Sequence, residues 1–311
     1  MIFNQIVSGG GGSAPAHYIE KDVDANGKLV GGTSIINLSG VTDLDKFVLS
    51  NANYGNTSLT GAVDFSSLTQ ISGQNAMSGC FQDCTGITSV DLSSLQTVSA
   101  TYAMSSAFRG AYGITTVDLS SLTTVSGGSC MTQLFQTCSN ITTLNLSSLK
   151  TVSGNSAFNM AFGYCSGLTS ISLPALETVS GSGALQQCFQ NCTGLISADL
   201  RNLTTVSGTN GLNGCFQSCT GLTSINVSSL TTLANSALVA FCKNCTSLTS
   251  LSFPALTTTS FGAYTNQFDQ MLNGVTGCTV HFPAAIQSTI ENWASVTGGF
   301  SGTNTTVLFD L

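Results

Sequence analysis

Residues 87–113 read ITSVDLSSLQTVSATYAMSSAFRGAYG, and residues 114–140 read ITTVDLSSLTTVSGGSCMTQLFQTCSN. Aligned end to end, the two segments share their apolar positions at a spacing of 27. Further copies begin at Ile141, Leu168, Leu195 and Leu222, each 27 residues after the last, and one residue is lost before the copy at Leu248. Outward from this block the register reaches back to Val63-Asp64-Phe65 and Ile36-Asn37-Leu38 and forward to Val280-His281-Phe282, so ten rungs can be counted. A fixed period of this length is the mark of a stacked array, in which each unit buries its apolar face only against its neighbours.

Two periods alternate inside one repeat. In Val90-Asp91-Leu92 two large apolar residues flank a polar one, which predicts a short strand with Asp91 facing out. Met77, Cys80, Phe81 and Cys84 stand at i, i+3, i+4 and i+7, which predicts one face of a helix of about two turns. Gly and Ser before that segment, as in Ser180-Gly181-Ser182-Gly183, read as chain breakers between the two elements. The expected fold is therefore an α/β repeat solenoid, right-handed, with a short strand and a short helix per repeat. Residues 33–277 form the solenoid, residues 1–32 a Gly-rich N-terminal attachment or cap segment, and residues 278–311 the last rung and a cap holding the single tryptophan, Trp293.

The string Cys188-Phe189-Gln190-Asn191-Cys192-Thr193-Gly194-Leu195, with the strand Leu168-Thr169-Ser170-Ile171-Ser172-Leu173-Pro174, resembles the BspA-like class of leucine-rich repeats over about residues 33–283. Phe108, Phe135, Phe162, Phe189 and Phe216 keep the aromatic column of that class, whereas Pro reaches the strand-end position only at Pro174, Pro254 and Pro283. The resemblance implies a leucine-rich-repeat fold and a role as a bacterial surface adhesin or host-interaction protein. The start MIFNQIVSGGGGSAP, the repeats and the ending from Val280 are also similar to phage and prophage tail-associated proteins, which implies a virion or extracellular surface location. The same start lacks the basic region and long apolar stretch of a secretory signal, as expected of a particle protein released by lysis.

Composition narrows the chemistry. Only 7% of residues are charged and the net charge is −7, with the seven Lys and Arg scattered, so a phosphate backbone has no basic patch to meet. No run of apolar residues is long enough to cross a bilayer as a helix. With two histidines, His17 and His281, a nucleophile–base arrangement lacks material, and no enzymatic activity or cofactor is expected. Cys80/Cys84, Cys188/Cys192 and Cys215/Cys219 stand four apart on a face that also holds Phe, and Cys138, Cys165 and Cys245 continue the same column, which reads as a ladder of buried thiols rather than disulfides or a metal site. Cys242-Lys243-Asn244-Cys245 matches C-x-x-C, but Phe241 and Cys242 have exchanged columns there and no second pair completes a site.

Two candidate binding surfaces remain. On the strand face, Asp64, Asp91 and Asp118 share one column, and their mutual repulsion would be relieved by a hard cation, although solvated side chains are the better reading. In the repeat from Ile87, the usual Cys-Phe-Gln-x-Cys-Thr becomes Ala107-Phe108-Arg109-Gly110-Ala111-Tyr112, and Tyr102 is added upstream. Tyr and Arg dominate interface hot spots, so Tyr102, Arg109 and Tyr112, with Asp91 and Asp118 on the strand face, are the expected binding residues. Expected partners are other virion or surface proteins or a host cell-surface receptor, with a homo-oligomer as a further arrangement.

Overall fold

The structure is a computed structural model and describes residues 42–44, 51, 54–257, 267–291 and 304–311. Each coil opens with a strand whose middle residue is apolar: Thr60–Asp64, Gly86–Asp91, Thr116–Asp118, Thr143–Asn145, Ser170–Ser172, Ser197–Asp199, Ser224–Asn226 and Ser250–Ser252. Neighbours pair parallel in the 27-residue register, Val90 opposite Val117 and Asp91 opposite Asp118. Val90 is buried and Asp91 exposed, the alternation that the sequence predicts. Leu92 and Leu95 then line a corner closed by the Leu95 N–H on the Leu92 carbonyl at 3.0 Å. A second side carries two-residue strands, from Gln70–Ile71 and Thr97–Val98 to Thr232–Leu233, seven in one unbroken parallel sheet.

The expected helix does not form. Along residues 73–84 the N–H groups of Ala76, Ser78, Cys80, Gln82 and Cys84 donate three residues back, at 3.1–3.3 Å. The alternate ones, Asn75, Met77, Gly79, Phe81 and Asp83, donate to carbonyls of the next coil, at 2.7–3.2 Å. An α-helix would satisfy these donors four residues back within the segment. Instead the chain runs as linked β-turns, and φ is positive at Asn75, Gly79 and Asp83, the third position of every other turn, as a type II turn requires. Inter-coil hydrogen bonding thus continues around this side as well.

The apolar columns face inward as their spacing predicts, but linked turns rather than a helix carry them. Met77, Cys80, Phe81 and Cys84 are all buried, because a turn unit that repeats every four residues brings the same positions inward as a 3.6-residue helix. The glycines before the segment also act differently from breakers. A Cβ on Gly127, Gly154, Gly181 or Gly208 would lie 2.0–2.2 Å from a carbonyl oxygen of the preceding coil, so these glycines permit close approach of backbones.

Inside, Phe81, Phe108, Phe135, Phe162, Phe189 and Phe216 form one stack with ring centroids 5.1–5.8 Å apart and planes within 13°. Where one residue is missing, Phe241 meets Phe216 edge-on at 74°. All twelve cysteines are buried. The thiols of Cys138, Cys165, Cys192, Cys219 and Cys245 donate to the phenylalanine carbonyls of the preceding coil at 3.0–3.3 Å. The ten rungs counted in the sequence become about eight coils. Residues 36–38 lie outside the described ones, as do residues 1–32 and Trp293. Thr279–Phe282 pairs with Ser250–Ser252 and with Thr306–Phe309 in a separate sheet at the C-terminal end.

Candidate functional site

On the strand face the aspartate column serves the coil itself. Asp64, Asp91 and Asp118 each accept the N–H two residues on, from Ser66, Ser93 and Ser120, at 2.9–3.0 Å. Asn145 and Asn226 make the same bond, as an Asx turn needs only a side-chain oxygen. Hydrogen bonds from the Ser66 side chain and backbone hold the Asp64 carboxyl below its ordinary value against a small opposing effect of burial. Asp91 and Asp118 are exposed neighbours in adjacent strands. Among the described residues no group of three or more His, Cys, Asp or Glu is arranged to hold a metal ion. His281, on the terminal rung, has its Nδ1 3.0 Å from both carboxylate oxygens of Asp310.

On the turn side the three residues expected to act together divide. Tyr102, 47% exposed and at φ 55°, sits in the first turn of its segment. Arg109, half-buried, and exposed Tyr112 stand at the far end, and the Asn140 amide donates to the Tyr112 carbonyl at 2.9 Å. Inter-coil bonds at that far end fix the order of coils: Gly55 to Gln82, Asp83 to Arg109, Gly110 to Gln136, Thr137 to Gly163 and Tyr164 to Gln190, donor first, at 2.7–2.9 Å. Counting along this column puts Tyr54 on the first coil, Tyr112 on the third and Tyr164 on the fifth. Tyr54 and Tyr164 are 56% and 43% exposed. One edge of the solenoid therefore carries three exposed tyrosines on alternate coils, with Arg109 beside the middle one.

A family model for the BspA type leucine-rich repeat region matches residues 48–160 and 158–273 in six copies. The chain belongs to this family. No curated protein matches the sequence significantly. Solved structures similar to this BspA-type chain include a leucine-rich repeat protein from Bacteroides ovatus, 15% identical over 99% of this chain and 98% of that one, with a TM-score of 0.32. An internalin, inlF, from Listeria monocytogenes is 13% identical over 81% of this chain and 75% of that one, with a TM-score of 0.29. A TLR13–ssRNA13 complex is 13% identical over 82% of this chain and 53% of that one, with a TM-score of 0.20.

Within this BspA-type solenoid the tyrosine edge was only half visible in the sequence. Tyr112 lies in a repeat that breaks the Cys-Phe-Gln-x-Cys-Thr rule, whereas Tyr164 stands in a column that holds Asp83, Gly110, Thr137 and Asn191 in neighbouring repeats, with no aromatic among them. One signal was available. The four described tyrosines are all exposed and none of the described phenylalanines is, so in this chain Tyr marks the outside. Ile196, 54% exposed, is a second departure, replacing the threonine of Thr169 and Thr223 on the strand face.

Proposed function

We propose that this leucine-rich-repeat protein is a non-catalytic structural and recognition element of a phage particle, tail-associated, that presents its solenoid surface to a host receptor or to other virion proteins. The observation that carries the reading is the edge of exposed tyrosines and Arg109 on a surface made mostly of Ser, Thr, Asn and Gln. Tyr and Arg bury much area and still make directed hydrogen bonds, which is what a recognition surface asks of few residues. Arg109 and Tyr112 are the contact residues at its centre, Tyr102 a flanking one, and Asp91 and Asp118 a second, strand-face surface. Residues 1–32 serve as the attachment segment and residues 278–311 as the end of the solenoid. No helix among the described residues is long and apolar enough to cross a membrane.

Immunogold labelling of lysates from cells that carry the gene tests the location. Label on particle tails is the expected result. Label on intact cell surfaces without particles would instead support a bacterial adhesin that binds host protein or glycan, and label confined to soluble cytoplasm would overturn both readings.

A further inference from the structure

The spacing of the tyrosine edge says more than its existence. Coils follow one another at about 4.8 Å, so Tyr54, Tyr112 and Tyr164 recur along the axis at about 10 Å. Between them, on the second and fourth coils, the same edge shows Gln82, Thr85, Thr137 and Ser139. A protein hot spot packs its aromatics together and excludes water around them. Here the tyrosines stand on alternate coils of one edge with hydrophilic residues on the coils between, an arrangement complementary to a ligand that itself repeats along its length. Charge narrows the ligand further. Over these five coils the edge holds one acidic and one basic residue, Asp83 and Arg109, which offset one another. Tyr164 adds a separate observation: its φ of 65° is a conformation that a bulky side chain rarely adopts, and the column needs no aromatic there, since Asn191 fills the next coil at φ 59°.

Resting on the reading of this chain as a recognition scaffold, we propose that the Tyr54–Tyr112–Tyr164 edge binds a neutral, extended oligosaccharide, each tyrosine stacking on the apolar face of one pyranose ring while intervening rings meet the amides and hydroxyls between. Two coils match about two sugar units of an extended β-linked chain, about 10 Å.

The test applies the full-length protein to an array of neutral β-1,4-, β-1,3- and α-1,4-linked glucose and N-acetylglucosamine oligosaccharides, from disaccharide to hexasaccharide. Binding to an extended β-linked series that strengthens with length is expected. Tyr54→Ala, Tyr112→Ala and Tyr164→Asn should each weaken it about two- to tenfold and the three together should abolish it, while Ile196→Thr, on the strand face, leaves it unchanged. Thermal melts of the variants guard against loss of folding. Binding of no neutral glycan, or binding that the triple variant retains, overturns the inference. Particles that still adsorb to their host in either of those cases leave the recognition role standing and place its ligand among proteins.

Discussion

Phe162 is fully buried, with Phe135 and Phe189 stacked on its two faces at 5.8 and 5.6 Å. Phe162→Ala therefore removes both contacts and leaves a cavity that rigid coils cannot close, at a cost of about 3–5 kcal/mol. Chemical denaturation measures it, and an unchanged midpoint would mean that the stack is not the core. Tyr164 makes the opposite case. Its left-handed backbone suits Asn, as at Asn191 and Asn244, and the residue is exposed. Tyr164→Asn should stabilise the fold by about 1 kcal/mol, with a rise in Tm of about 2–4 °C. A loss of stability would show that the ring packs on the coil instead of serving a ligand. Asp118→Asn should leave stability within about 0.5 kcal/mol, because Asn145 makes the same turn one coil on, whereas Asp118→Ala loses the bond to Ser120 and about 1 kcal/mol.

At the level of elements, the sequence disclosed which columns face inward and misnamed what carries them. Met77, Cys80, Phe81 and Cys84 have a helical spacing, yet the donors of Met77, Gly79 and Phe81 are used by the next coil. Periodicity reports burial, and burial alone does not distinguish a helix from linked turns with a four-residue unit. The residues at Asn75, Gly79 and Asp83 were a legible clue, since Asn, Gly and Asp are the residues that tolerate positive φ. The cysteine columns give this side a pH signature. Burial raises the thiols of Cys84 and Cys278 to about 11 and those of Cys130, Cys138 and Cys192 to about 12, from an ordinary 9.0. The folded chain keeps these protons where the unfolded chain gives them up, so the contribution is complete below about pH 9 and is lost as pH climbs through 11 and 12. Denaturation midpoints should be flat from pH 7 to about 9 and fall above it, and native protein at pH 8 should react with a thiol reagent far more slowly than unfolded protein. Equal reaction rates would contradict buried thiols.

Across the whole molecule, about eight coils share one continuous core and touch only their neighbours, so length is modular. Deleting residues 141–167, one full repeat, should give a shorter folded protein, while deleting half of that stretch should not fold, because it turns strand columns onto turn columns. The periodicity, the inward columns and the family were legible in the sequence because a repeat states them many times over. The tyrosine edge was not, since it is built from single departures in three separate repeats and becomes one feature only when the coils are stacked. Inter-coil hydrogen bonding runs around the described repeats without a helix in any of them, and far-UV circular dichroism of the full chain tests this most directly. That bonding predicts a spectrum of strands and turns that lacks the paired minima of α-helix, and a strong helical pair, in proportion to a two-turn helix in every repeat, would contradict it.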